Sequence, residues 1–329
     1  MRLVRQSSVE DSPLQLVELP DLEPAPLELA IEVEACAVCR TDLQLVEGDI
    51  EAHRLPVTPG HQIVGTVAAL GAGVAGWKIG DRAGVGWVAG ACGECVFCAG
   101  GRENLCRFAR FTGWDRDGGF ADQVKVRADF AFPLPAGPTG PQLAPLLCGG
   151  VIGYRSLRVA GIQPGGRLGL FGFGASASLT IQVAAHWGCE TYVFTRSESE
   201  QRRAIELGAV WAGSYADRAP ERLDAAITFA PAGSVVVQAL RALERGGVVA
   251  INAIHLDEVP RFDYDDLWLE RQIRSVANYT RRDALEFLDL AVRIPVVTTT
   301  DGYPLAGANE ALGALRAGSL GGTAVLLMG

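Results

Sequence analysis

From Leu27 to Ala35 the chain reads LELAIEVEA, apolar residues taking turns with acidic ones. That two-residue period is the mark of a strand with one face in a core and the other in water. The preceding residues read as short strands with Pro-rich turns. After it, Cys36-Ala37-Val38-Cys39-Arg40-Thr41-Asp42-Leu43 shifts towards a helix start with polar residues at its mouth. Glycine-rich turns at Gly71-Ala72-Gly73 and Gly80-Asp81-Arg82 separate further short strands, and Gly118 to Val124 begins another. These elements predict a small β-rich domain. Pro133 to Pro145 forms a joint, followed by a helix over Val151 to Ala160.

From Arg167 the texture changes. Strands are expected at 168–174, Glu190 to Thr195, Ala225 to Phe229, Val248 to Asn252 and Ile273 to Ala277. Helices are expected between them, at Ala175 to Trp187, Glu198 to Leu207 and Ser234 to Leu243, the second opened by a Ser197-x-x-Glu200 capping box. Short apolar strands alternating with helices mean parallel βαβ units in a doubly wound sheet of the α/β class. Thr280-x-x-Asp283 caps one more helix. The tail from Val296 reads as strand and loop, ending in Thr323-Ala324-Val325-Leu326-Leu327, and is expected to return to the first domain.

With 329 residues, 49% of them apolar, the chain is long enough for two cores. Asp and Glu outnumber Lys and Arg by 38 to 29, and there are no basic runs, which argues against a nucleic-acid partner. No stretch approaches a membrane span, and the first residues lack the apolar core of a signal peptide, so the cytoplasm is the expected compartment.

The chemistry concentrates in cysteines and glycines. Cys92, Cys95, Cys98 and Cys106 follow the spacing C-x2-C-x2-C-x7-C, which lets four thiolates converge on one tetrahedral ion, a closed structural zinc site. Two disulfides, four reduced thiols or an iron–sulfur cluster are the alternatives. Of Cys36 and Cys39, one can be a ligand and the other a small core residue. His61 lies in Pro59-Gly60-His61-Gln62-Ile63-Val64, where a histidine is more often a satisfied core residue than a ligand. Gly172-Phe173-Gly174-Ala175-Ser176 sits between an expected strand and helix, where glycines let backbone approach a pyrophosphate at a helix N-terminus. The next strand ends in Thr195-Arg196-Ser197, not in an acidic residue. Arg196 can pair with a 2′-phosphate, with Thr195 and Ser197 donating to it, which favours NADP(H) over NAD(H). A solvated Arg196 leaves NAD(H) open.

Together these motifs resemble the zinc-dependent alcohol dehydrogenases of the medium-chain dehydrogenase/reductase superfamily, over essentially the whole chain. The resemblance implies a GroES-like catalytic domain over 1–148, completed by 294–329 and carrying a zinc lobe at about 90–106, and a Rossmann cofactor domain over 149–293. It implies two Zn²⁺ per chain: a catalytic one on Cys39, His61 and Cys148, and a structural one on Cys92, Cys95, Cys98 and Cys106. Cys36 and Cys189 are left as buried thiols. Thr41 matches the hydroxyl that bonds the substrate oxygen, Asp42 the carboxylate that orients His61, and Arg40 a contact to the pyrophosphate. Trp87 and Trp114 are expected either as substrate-pocket walls or as core packing. The implied reaction is hydride transfer between a small alcohol or aldehyde and the nicotinamide, in a homodimer or homotetramer. A polyol or aromatic-aldehyde enzyme, and a zinc-stabilised nucleotide-binding protein without activity, are the rival readings. Two positions depart from the family. Gln62 stands where Glu is common, and Gln44 stands where a histidine ends the proton relay, with His53 in a nearby loop as a substitute.

Overall fold

The alternating stretch forms the strand Glu28–Ala37, and the first sheet is built around it in a computed structural model that describes residues 1–253 and 256–329. It pairs antiparallel with Gln62–Leu70, with Gln123–Arg127 and with Thr323–Leu327. The seven-stranded sheet is completed by Arg82–Val85, Ala131–Pro133 and Thr300–Pro304. Leu29, Ile31 and Val33 point into a core with Ile63, Val67, Val85 and Phe120, while Glu32 and Glu34 face water. Each such side chain contributes about 1.5–3 kcal/mol by leaving water.

The second sheet is parallel throughout, in the order Trp211–Gly213, Glu190–Phe194, Arg167–Phe171, Leu223–Thr228, Leu243–Ile251, Gln272–Ser275. In chain order this is 3-2-1-4-5-6, the doubly wound arrangement. Its crevice opens where the order reverses, between Arg167–Phe171 and Leu223–Thr228. Helices Gly149–Ala160, Ala175–His186, Glu198–Glu206 and Gly233–Ala242 accompany these strands.

The chain divides into two units: Met1–Cys148 with Thr280–Asp289 and Val297–Gly329, and Gly149–Tyr279 with Leu290–Val296. The second boundary thus differs from the expected 293/294. The helix Arg281–Arg293 is split by it, because its first turn is tied into the first unit. The Arg281 backbone N–H donates to the Glu103 carboxylate at 2.6 Å, and its guanidinium lies 5.1 Å from the Phe130 ring centroid.

The tail also differs from expectation. It contains a helix, Ala308–Ala317, between its two strands. Ala308, Ala311, Leu312 and Leu315 recur at helical spacing and turn towards the first core. Gly318, in the left-handed region at φ 66°, ends it. Among the described residues, no helix is long and apolar enough to cross a membrane.

Candidate active site and zinc lobe

Helix Arg40–Glu47 begins with a reciprocal cap. The Thr41 N–H donates to Cys39 Sγ at 3.3 Å, and the Cys39 N–H donates to Asp42 Oδ2 at 2.9 Å. Asp42 Oδ1 also accepts from the Gly60 N–H at 3.2 Å and faces His61 Nδ1 at 3.1 Å. An ionised carboxylate only accepts, so Nδ1 carries a proton, and the neutral ring offers its lone pair at Nε2. Nε2 lies 3.3 Å from Cys39 Sγ. Cys148, between the turn Ala144–Leu147 and helix Gly149–Ala160, brings its sulfur to the same point. The donor atoms of Cys39, His61 and Cys148 all lie within 4.8 Å of one another.

The electrostatics follow from crowding these groups in a buried place. The hydrogen bond from Cys148, with His61 beside it, holds the Cys39 thiol well below the usual thiol range in spite of burial. The same bond and burial push the Cys148 thiol well up. Burial opposes charge on His61, yet Asp42 and Cys39 outweigh it and hold the imidazole well above its ordinary value. Burial raises the Asp42 carboxyl, with His61 opposing.

The segment 111–120 fastens the chain just ahead of His61. The Gly118 N–H donates to the Thr58 carbonyl at 2.7 Å, and the Gly119 N–H to Gly60 at 2.9 Å. A Cβ on Gly118 would lie 1.9 Å from the Gly60 carbonyl oxygen and 2.8 Å from that of Pro59. Both obstacles are backbone and cannot turn aside. Gly118→Ala is therefore expected to cost about 2–4 kcal/mol of stability. A urea midpoint equal to that of the unchanged protein would show that the Gly60 turn has room to yield.

Cys92, Cys95, Cys98 and Cys106 form the second donor group, again with sulfurs within 4.8 Å. Cys92 Sγ is 3.8 Å from Cys98 Sγ and 3.5 Å from Cys106 Sγ, too far for a disulfide and close to the edge of a tetrahedral thiolate site, about 3.8 Å. All eight cysteines are unpaired. Cys36 and Cys189 are buried and belong to neither donor group.

Trp87 stands edge-on to His61, ring centroids 4.8 Å apart. Trp114 lies 5.8 Å from Trp87, and Phe111 lies 5.2 Å from Trp87. Gln62 spends its side-chain amide on the Ala37 carbonyl at 3.3 Å. Gln44 is half-buried, and Arg40 is exposed at the first position of its helix.

In the second unit, Gly172 follows strand Arg167–Phe171 at φ 95°, and a Cβ there would meet the Ala230 backbone nitrogen at 3.0 Å. Gly174 caps helix Ala175–His186 and has open space where a Cβ would go. Ala175 and Ser176 begin that helix, whose first amides have no partner within it. Arg196 is exposed. Ser197 accepts from the Glu200 N–H at 3.3 Å and contacts Ser199 Oγ at 2.7 Å. Thr195 is buried, and its hydroxyl donates to the Glu200 carboxylate. The capping box is therefore half formed, with Glu200 bonded to Thr195.

Residues 25–136 match the alcohol dehydrogenase GroES-like domain. Over 330 residues the chain is 49% identical to a probable alcohol dehydrogenase, AdhA, of Mycobacterium tuberculosis, covering 98% of this chain and 95% of that one. This chain belongs to the alcohol dehydrogenases of the medium-chain dehydrogenase/reductase superfamily. An alcohol dehydrogenase of Geobacillus stearothermophilus is 32% identical over 94% of each chain. The solved structure of a cinnamyl alcohol dehydrogenase from Sorghum bicolor superposes with a TM-score of 0.89 at 25% identity, covering 99% of this chain and 96% of that one. The two sheets are thus a GroES-like and a Rossmann domain, and the protein is an oxidoreductase.

Within this alcohol dehydrogenase the donor chemistry suits zinc at both groups. Three donors with an oriented imidazole leave one position open, and four thiols close the other. Two residues near the site escaped the sequence reading. Phe111 joins the rings, and Asp115 accepts from the Phe111 N–H at 2.8 Å. Their only signal was an aromatic residue recurring beyond the last lobe cysteine.

Proposed function

We propose that this dehydrogenase interconverts small alcohols with aldehydes or ketones, using zinc and NADP(H) in preference to NAD(H). The observation that carries the reading is the meeting of Cys39, His61 and Cys148 with Asp42 behind the imidazole. Zinc held by those three residues would supply Lewis-acid polarisation of the substrate oxygen, and the nicotinamide would accept or return hydride.

The chain's own residues account for the remaining work. Asp42 fixes the His61 tautomer and the start of helix Arg40–Glu47 together. Thr41, buried two positions after Cys39, holds the substrate proton at its hydroxyl. Trp87 and Trp114 shield the site from water. Gly172 and Gly174 let the pyrophosphate approach the amides of Ala175 and Ser176. Arg196 and Ser197 meet the 2′-phosphate, and Thr195 supports them through Glu200. Cys92, Cys95, Cys98 and Cys106 hold a second, structural zinc. Eight unpaired cysteines favour a reducing compartment, the cytoplasm. The sheet order ends at Gln272–Ser275, an edge on which a homodimer or homotetramer can pair.

The test is an initial-rate panel of alcohols and aldehydes with both cofactors, run beside metal analysis. Turnover with about two zinc per chain supports the enzyme. One zinc and no turnover would leave the nucleotide-binding module. Arg196→Ala is expected to lower kcat/KM for NADPH by about 10- to 100-fold, as loss of a charge-assisted hydrogen bond does, with a much smaller change for NADH. Equal losses with both cofactors would remove Arg196 from phosphate recognition.

A further inference from the structure

The rings beside His61 do not end at Trp114. The His53 imidazole stacks on Trp114 with centroids 4.0 Å apart and planes 22° apart. Trp87, Phe111 and Trp114 share nearly the same orientation, with mutual interplanar angles of 23°, 27° and 25°. Three near-parallel rings thus form one mutual cluster beside the His61 imidazole, with centroids 5.2, 5.8 and 5.7 Å apart, and His53 covers its Trp114 member. Trp87 is buried, Phe111 and Trp114 are half-buried, and the His53 side chain is half exposed.

The exposed side of this cluster is clamped by polar contacts. His53 Nδ1 lies 2.8 Å from Asp115 Oδ1. The other oxygen of that carboxylate accepts from the Phe111 N–H at 2.8 Å. Trp114 Nε1 donates to the Glu51 carbonyl at 2.9 Å. One half-buried aspartate therefore fixes both an inner ring, through its backbone, and the outermost ring, through its side chain. The loop around His53 and the segment around Trp114 are locked by these two polar ties, by a third from Arg54 to Asp117 at 3.4 Å, and by one stack. Packing alone asks for apolar bulk. It does not ask for a common ring orientation, nor for a histidine bonded so that its face lies on a tryptophan.

We propose that His53 is a positioning residue for substrate specificity, that it acts through Trp114, and that the ring set it completes selects planar aromatic alcohols and aldehydes over short aliphatic ones. Aromatic faces hold a flat partner in offset-stacked or edge-on geometry, and each such pairing adds affinity beyond buried area. An aryl group can add one more such pairing to this cluster, whereas a two-carbon substrate has no ring with which to do so. His53 needs no contact with the reacting atoms, because its part is to keep Trp114 from turning away. This inference rests on the alcohol dehydrogenase reading above.

The test compares kcat and KM for benzaldehyde and acetaldehyde in the intact enzyme, in His53→Ala and in His53→Phe. In His53→Ala the ratio of the benzaldehyde KM to the acetaldehyde KM is expected to rise about three- to tenfold, with kcat for benzaldehyde within about twofold. His53→Phe keeps a ring on Trp114 and is expected to recover most of the ratio. Titration of the resting proteins with benzyl alcohol, followed by tryptophan fluorescence, reads the same loss without turnover. Equal KM changes for both aldehydes would make His53 merely structural and overturn the inference. So would an intact enzyme that reduces acetaldehyde and ignores benzaldehyde, which leaves the dehydrogenase reading standing. An intact enzyme inactive on every alcohol and aldehyde with either cofactor would remove that reading and this inference together.

Discussion

Cys148→Ala is expected to lower kcat/KM for any accepted alcohol by about a thousandfold, the several kcal/mol that a Lewis acid contributes to such a reaction. It is also expected to remove one of the two zinc ions proposed above. The reasoning starts from the donor set. Cys39 and His61 sit at the two ends of one hydrogen-bonded unit, and Asp42 holds both, so these two donors stay in place when Cys148 is removed. Two protein donors are too few for a zinc site, which takes three in its open form. The loss therefore appears in metal content before it appears in fold. Cys36→Ala is the matched control. Cys36 is a fully buried thiol three positions from Cys39, but it lies outside the donor group and packs instead against the Phe120 and Gly119 turn. Its removal should cost about 1 kcal/mol of packing and leave the metal content alone. A Cys148→Ala protein that keeps two zinc ions and undiminished turnover would remove this cluster from the reaction.

The two sheets were legible in the sequence for different reasons. The strand Glu28–Ala37 announces itself by period, and the parallel units by the regular exchange of short apolar runs for helices. The helix Ala308–Ala317 was not read, because its repeat is carried largely by alanine and broken by Gly313, which mutes the contrast between faces. His61 shows where local reasoning stops. Its neighbours are apolar and its side chain is fully buried, which suits a core histidine as well as a ligand. Only the arrival of Cys39 and Cys148 within reach favours a ligand, and those partners lie 22 and 87 positions away along the chain. The clamp on Trp114 is less visible still. His53 and Asp115 are 62 residues apart, and neither belongs to a motif. Thr195 is the opposite case. Its place at a strand end suggested a donor to phosphate, but Glu200 five positions on takes its hydroxyl.

The second large effect belongs to the lobe. In a protein carrying Cys95→Ala and Cys98→Ala, trypsin is expected to cut between Arg102 and Arg110 about a hundredfold faster, or more, than in the intact protein. Between Cys92 and Cys106 only Glu103, Asn104 and Cys106 are buried, and Val96 is 72% exposed. Helix Val96–Ala99 has no buried residue at all. Hydrophobic burial therefore cannot hold this segment, and its backbone hydrogen bonds are those of two short turns, Val96–Ala99 and Glu103–Leu105. The thiolates are what remains. In small metal-dependent folds, metal binding and folding are one equilibrium worth several kcal/mol or more, and that equilibrium sets how often the segment opens. Arg102, Arg107 and Arg110 are exposed and need only a flexible backbone to be cut. The far end of the lobe stays anchored, because Glu103 is bonded to Arg281. Opening is thus local, and the thermal transition of the rest should move by only a few degrees. Digestion at the intact rate in the double variant would show that the lobe is held by its loop alone.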